Sequence, residues 1–234
     1  MSSAQEVLMP LPQVIVMATG KGGAGKSALT RSLAAHFLAT KQNPAIVDAD
    51  PQASIASLHD ADGPMGKIPV IADPEAETVQ ASIEDLVAKH RPVLVDTAGF
   101  RNQTTIMAAI RADLVVIPLK PSAEDIREAV AMYELVGELN QIPERKGNPI
   151  QVVMVMTMTT PGTVIVRQIR KELEEKGFPL LEAEMTQRVV YPELSMRGLA
   201  PSVVDPESAA ARDIAKIAME IVKRGGAHEQ VHAA

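Results

Sequence analysis

The sequence has no cysteine and no tryptophan, and its 234 residues include only three phenylalanines and two tyrosines. Without cysteine there can be no disulfide framework, thiolate metal site, iron–sulfur cluster or cysteine nucleophile. A reducing cytoplasm is the simplest setting for such a chain. With so few aromatics, the core must be built from aliphatic side chains and the twelve methionines. No run of eighteen consecutive apolar residues occurs, so no membrane-spanning helix is expected. The apolar stretch from Val7 to Ala18 is interrupted by Pro10, Pro12 and Gln13 and lacks the basic start of a secretion signal. A formal net charge of −6 argues against a globally basic nucleic-acid binder but leaves room for a local basic face.

What is present reads as one α/β domain. Apolar residues make up 46% and charged residues 22% of the chain, close to the globular average, and no repeat or low-complexity tract appears. Residues 1–12 read as an N-terminal extension, 13–224 as a single domain and 225–234 as a flexible C-terminal tail, since Gly225 and Gly226 should stop the last helix. Strands are expected at Gln13–Ala18, Pro44–Val47, Pro92–Val95, Leu114–Pro118, Gln151–Met156 and, more weakly, Pro179–Ala183. Several are uniformly apolar, as strands covered by helices on both faces must be. Between them run helical spacings: Leu29, Leu33, Phe37; Ile126, Val130, Tyr133; Ile165, Ile169, Leu173; Ile214, Ile217, Ile221. Strand–helix alternation predicts a doubly wound, mostly parallel sheet flanked by helices, with ligands beyond the carboxyl ends of the strands. Met154, Met156 and Met158 alternate along one strand and are expected to be core packing.

The loop after the first strand is Gly20-Lys21-Gly22-Gly23-Ala24-Gly25-Lys26-Ser27, a complete G-x-x-x-x-G-K-[ST] phosphate loop in its strand–loop–helix setting. Its glycines turn backbone N–H groups toward phosphate oxygens, and the following helix contributes its positive end. Lys26 can neutralise the β- and γ-phosphates and the Ser27 hydroxyl can ligate Mg²⁺. The apolar run Val93-Leu94-Val95 ends in Asp96, which suits a carboxylate holding Mg²⁺ through water. The same Asp-x-x-Gly pattern occurs in GTPases, but none of Asn43, Asn102, Asn140 and Asn148 precedes a lysine, so the guanine-reading Asn-Lys-x-Asp is missing and ATP is favoured. Phe100 to Thr104 are expected to form a γ-phosphate-sensing switch. The five histidines show no metal spacing.

Lys21 occupies a position the loop pattern leaves free, and Lys21-Gly-Gly-x-Gly-Lys-Ser resembles the deviant Walker A motif of the ParA/MinD family of P-loop ATPases. Asp48-Ala49-Asp50-Pro51-Gln52 resembles the family's D-x-D-P-Q sequence, and the Leu114–Pro118 run with Pro121-Ser122 resembles its next strand and helix. Thr186-Gln187-Arg188 through the 209–222 segment resembles the C-terminal third of the small, ParF-like plasmid-partition members. The resemblance implies that Lys21 reaches across an ATP-sandwich homodimer to the partner's phosphates, with Lys21, Lys26 and Asp50 catalytic and Asp50 orienting the attacking water. It implies nucleotide contacts from Lys21, Gly22, Gly23, Ala24, Gly25, Lys26, Ser27, Ala28 and Asp48, and magnesium ligation around Ser27, Asp48 and Asp96. Thr157-Met158 stands where many members place the asparagine that reads adenine.

Members of this type bind nucleoid DNA without sequence preference when ATP has closed the dimer, and release it when a small centromere-binding (ParB-like) or cargo-adaptor protein stimulates hydrolysis. Residues 163–224 hold ten Lys/Arg against ten Asp/Glu, so a DNA surface would be a patch assembled across two subunits from Arg167, Arg170, Lys171, Arg197, Lys223 and Arg224, contacting phosphates only. The MinD branch adds an amphipathic C-terminal helix that docks on lipid. The tail here carries a single valine, so no membrane attachment is expected. The reading is therefore a nucleoid-associated partition ATPase with weak intrinsic activity. The alternatives are a relative that positions a protein cargo, and a biosynthetic ligase of the dethiobiotin-synthetase type.

Overall fold

A computed structural model describes residues 11–20, 22–99 and 102–225. Seven strands form one parallel sheet in the order β3-β2-β4-β1-β5-β6-β7: β1 Val14–Thr19, β2 Ala45–Ala49, β3 Val70–Ala72, β4 Val93–Gly99, β5 Leu114–Leu119, β6 Gln151–Thr159 and β7 Met185–Thr186. The helices are α1 Lys26–Ala39, α2 Val79–Val87, α3 Gln103–Arg111, α4 Ala123–Leu139, α5 Val164–Glu175, α6 Val190–Ser195, α7 Pro201–Val204 and α8 Ala209–Gly225. The expected doubly wound architecture is thus the observed one.

Alternation along the buried strands explains the two-layer core. Val14, Val16 and Ala18 of β1 face one apolar layer with α2, α3, α4 and α5, whereas Ile15 and Met17 face a second layer with α1 and α8. Every residue of β1, β2 and β5 is buried, so the central strands must read as continuous apolar runs. Because all strands are parallel, the ends of β1, β2, β4 and β6 open on the same rim of the sheet.

Four expectations are corrected in detail. Pro179–Ala183 forms no strand: Leu180 makes one isolated bridge to Met154, and the edge strand is Met185–Thr186. Side chains take the backbone groups a ladder would have used. Arg170 donates to the carbonyls of Leu181 and Glu182 at 2.8 and 3.1 Å, Arg224 donates to that of Leu180 at 2.9 Å, and Glu220 accepts from the amides of Glu182 and Ala183 at 2.8 and 2.7 Å. In α4 the buried stripe is Ala129, Met132, Val136 and Leu139, with Ile126 and Val130 on its flank and Tyr133 exposed and packed edge-on against Phe178. In α5 the stripe is Val166, Ile169 and Leu173, and Ile165 faces out. Met154 and Met156 lie in the core, but Met158, still within β6, takes φ 52° and is 38% exposed. Sequence reading also passed over β3, three half-exposed edge residues following Pro69.

Candidate nucleotide-binding site

The phosphate loop bends through Gly23 at φ 85° and Gly25 at φ 79°, left-handed conformations that cost a glycine nothing and other residues about 1 kcal/mol or more. Gly25 is the N-cap of α1 and offers no side-chain cap, so the first-turn amides of α1 carry the helix's positive end without an internal partner. Thr157, at the end of β6, ties the loop down: its Oγ1 donates to the Ala24 carbonyl at 2.8 Å, with the Leu119 carbonyl at 3.3 Å. Met158 then turns its side chain toward Gly25, whose added Cβ would lie 3.5 Å from the methionine methyl. Thr157 and Met158, the residues expected to contact nucleotide, therefore adjoin the loop, and Thr157 acts on its backbone. Lys21, Phe100 and Arg101 lie outside the described residues, and with them the expected trans lysine and the start of the switch.

Under the loop sits a buried group of four charges. Asp48 on β2 and Asp96 on β4 are register partners on adjacent strands, and both are fully buried. Lys26 and Arg31, both from α1, are nearly as deeply buried, at 7% and 3% exposure. Burial pushes both cations below their ordinary pKa values, opposed by Asp96 and Asp50 for Lys26 and by Asp96 and Asp48 for Arg31. Burial pushes the Asp96 carboxyl up to about 7. The charges of Asp48 and Asp50 add to that shift, and a Ser27 hydrogen bond and the Lys26 charge oppose it.

The three carboxylates are spent differently. Asp48 accepts from the amides of Ile55 and Ala56 at 2.8 and 2.9 Å and, weakly, from that of Asp50 at 3.4 Å, so it shapes the loop after β2. Asp50 is half-buried and accepts from the Gln52 amide at 2.9 Å. Asp96 receives the Thr30 hydroxyl on Oδ1 at 3.3 Å, and its buried Oδ2 has no hydrogen-bond partner.

An orphaned buried carboxylate oxygen beside a serine hydroxyl at a phosphate loop fits a magnesium ion held through water and phosphate. Among the described residues no group of three or more His, Asp or Glu side chains is placed to hold a metal ion by itself. Sequence reasoning missed Thr30, Arg31 and Ser54. The one trace was three successive polar residues, Thr30, Arg31 and Ser32, within a helix that buries all three.

Of the six basic residues expected to contact DNA, four are engaged with groups of this chain. Arg170 and Arg224 hold the 180–182 carbonyls, as above, and Arg167 donates to the Gly162 carbonyl at 2.7 Å. Arg170 also lies 3.7 Å from both Glu174 and Glu184, and Lys171 lies 3.6 Å from Glu175. Arg167 and Arg170 line a groove of about 730 Å³ together with Arg188 and Lys216, but Glu182, Glu184, Asp213 and Glu220 line it too. Lys223 and Arg224 border an adjoining groove that shares Glu182, Met219 and Glu220 with the first, and exposed Arg197 lines neither. No helix among the described residues is long and apolar enough to cross a membrane.

Comparison with known proteins places this geometry. A model of the CobQ/CobB/MinD/ParA nucleotide binding domain matches residues 15–202. The chain is 30% identical over 195 residues to Protein ParA of Rhizobium radiobacter, covering 79% of this chain and 83% of that protein. It is 27% identical over 192 residues to the maintenance of carboxysome distribution protein A of Gloeobacter kilaueensis, covering 81% and 83%. Its fold is similar to that of the septum site-determining protein MinD from Pyrococcus horikoshii, solved with Mg-ADP, at TM-score 0.70 and 16% identity over 90% or so of either chain (89% and 95%).

Proposed function

Because the chain belongs to the CobQ/CobB/MinD/ParA nucleotide-binding domain family, we propose that it is a magnesium-dependent partition ATPase that closes into a homodimer around ATP, binds DNA without sequence preference and releases it on hydrolysis. The observation that carries this reading is the phosphate loop anchored by Thr157 over the buried Asp48, Asp96, Lys26 and Arg31.

The loop amides and the α1 N-terminus bind the phosphates, and Lys26 neutralises the β- and γ-oxygens. Ser27 and Asp96 hold magnesium, with Asp48 shaping the adjoining loop through its amide bonds. Magnesium, when bound, would offset the charge that builds in the transition state. Asp50, half-exposed at the rim, orients the attacking water. Lys21 supplies a positive charge in trans, as an arginine finger does. Such a site is complete only in the dimer, so intrinsic turnover is weak and a small ParB-like or cargo-adaptor partner stimulates it. The protein then acts in the cytoplasm on the nucleoid.

The 30% identity to a ParA protein favours plasmid or chromosome segregation as the outcome. The 27% relative named for carboxysome distribution supports the second reading, positioning of a protein cargo by the same cycle. The test is a DNA shift assay over a salt series with ATP and with ADP. ATP-dependent binding that weakens with salt is expected, and equal affinity in both states would contradict the switch.

A further inference from the structure

Among the described residues, the loop after β2 meets the phosphate loop at a serine–serine contact. Ser54 Oγ lies 3.0 Å from Ser27 Oγ, and the two residues are each half-buried. Ser54 is the donor in this bond and Ser27 the acceptor. A serine hydroxyl has one proton and two lone pairs, so Ser27 keeps one lone pair on the side not taken by Ser54.

Ser54 is itself held from the other side. The Arg31 guanidinium, buried in α1, donates through Nη2 to the Ser54 carbonyl at 3.0 Å. A buried arginine is expensive unless it is paired, and the charges that offset it are Asp96 and Asp48. Asp48 grips the same loop one step further on, through the amides of Ile55 and Ala56. The 54–56 segment is thereby fixed at a carbonyl by α1 and at two amides by β2. Ala53, immediately before it, sits at φ 46°, an unfavourable left-handed conformation that the flanking bonds maintain.

We propose that Arg31 and Ser54 are positioning residues that aim the free lone pair of the Ser27 hydroxyl at magnesium. Arg31 sets the Ser54 backbone and Ser54 donates to Ser27, so that one Ser27 lone pair is committed and the other is left for the ion. This is the arrangement by which an outer hydrogen bond fixes a metal ligand, and removing such a bond typically costs 10- to 100-fold in metal affinity at a strong site. With water and phosphate supplying most of the coordination here, the low end of that range is expected. The proposal rests on the magnesium-nucleotide reading given above.

The experiment titrates magnesium into the full chain with a fluorescent ATP analogue, in parent, Ser54→Ala, Ser54→Thr and Arg31→Lys proteins, and repeats nucleotide binding in EDTA. Ser54→Ala should raise the magnesium concentration for half-maximal enhancement about 10-fold. Ser54→Thr, which keeps the hydroxyl, should restore the parent value. Arg31→Lys, which keeps the charge and loses the planar fork, should shift it in the direction of Ser54→Ala but less. Nucleotide affinity in EDTA should be the same in all four, which a general loosening of the loop would not leave untouched. A Ser54→Ala protein that titrates at the parent concentration overturns the relay and leaves the ATPase reading standing. A parent protein that binds the analogue with no response to magnesium overturns both.

Discussion

Two regions of this molecule concentrate charge, and they use it in opposite ways. At the rim near β1, β2 and β4, Lys26, Arg31, Asp48 and Asp96 are all buried, and the one orphaned oxygen among them, Asp96 Oδ2, adjoins the phosphate loop. Around α5, β7 and α8 the charges are at the surface, interleaved in sign, and several are tied to the chain's own backbone: Arg170 to Leu181 and Glu182, Arg224 to Leu180, Glu220 to Glu182 and Ala183. Desolvated charge is costly unless a ligand completes it, whereas surface charge at this density is nearly neutral in energy. The first region therefore fits the anionic ligand and cation of the proposed function. The second is organised first to finish the sheet edge, and any DNA contact must come from the few side chains left over.

Substitutions can break this contrast, beginning at the buried cluster. Lys26→Ala should lower ATP hydrolysis by on the order of 10³-fold, because it removes the charge that neutralises the phosphates. Steady-state turnover measures this, and a loss under 10-fold would show that the loop does not act as a phosphate site.

At the sheet edge, Arg170→Ala and Lys223→Ala should separate structure from binding. Arg170→Ala leaves two carbonyls without their donor and should destabilise the protein by about 1–3 kcal/mol. Exposed Lys223→Ala should change stability by less than about 0.5 kcal/mol. If Lys223 contacts a phosphate, its loss should reduce the salt slope of DNA binding by about 1. Denaturant melts and a salt series distinguish them, and equal stability loss in both would erase the contrast.

The pH response sharpens the same distinction. Because Asp96 is pushed up to about 7, the native state holds a proton that the unfolded chain releases at ordinary carboxylate pH. Native protein binds more protons in that window, so nucleotide-free stability should fall as pH rises from about 4 to about 7. Magnesium-nucleotide affinity should rise over the upper part of the same window, since binding requires the carboxylate. Asp96→Asn should flatten the stability slope. Melting temperatures across pH 4–8 check this, and an unchanged slope would mean that Asp96 is not the titrating group.

The smallest effect is at Ala53, whose φ of 46° strains a residue with a Cβ. Ala53→Gly should stabilise by up to about 1 kcal/mol, the relief of strain exceeding the extra freedom glycine gives the unfolded chain. That corresponds to roughly 2–4 °C in melting temperature for a chain of this size.

What could be read from the sequence follows the same division. Phosphate binding fixes residue types at fixed spacing, so Gly20 to Ser27 and Asp96 could be picked out by chemistry, and Asp48 and Asp50 by their resemblance to a family sequence. The five central strands were legible because burial on both faces leaves an unbroken apolar run. Long-range partners decided the rest. Pro179–Ala183 is apolar enough for a strand, but side chains from α5 and α8 claim its backbone. Ile126 and Ile165 have helical spacing yet lie at the border of their stripes, where adjacent helices set the buried face. Arg31 reads as a surface residue until Ser54, Asp48 and Asp96 are brought around it from 17 to 65 positions away in the chain.

The central claim, that ATP and a second subunit bind together, is tested most directly by sedimentation of the full chain bearing Asp50→Ala to slow hydrolysis. With ATP and magnesium the mass should be twice that of the 25.0-kDa chain, and with ADP, or when Lys21→Ala is added, it should return to that of one chain. A protein that binds ATP and magnesium yet sediments as a single chain would contradict the account.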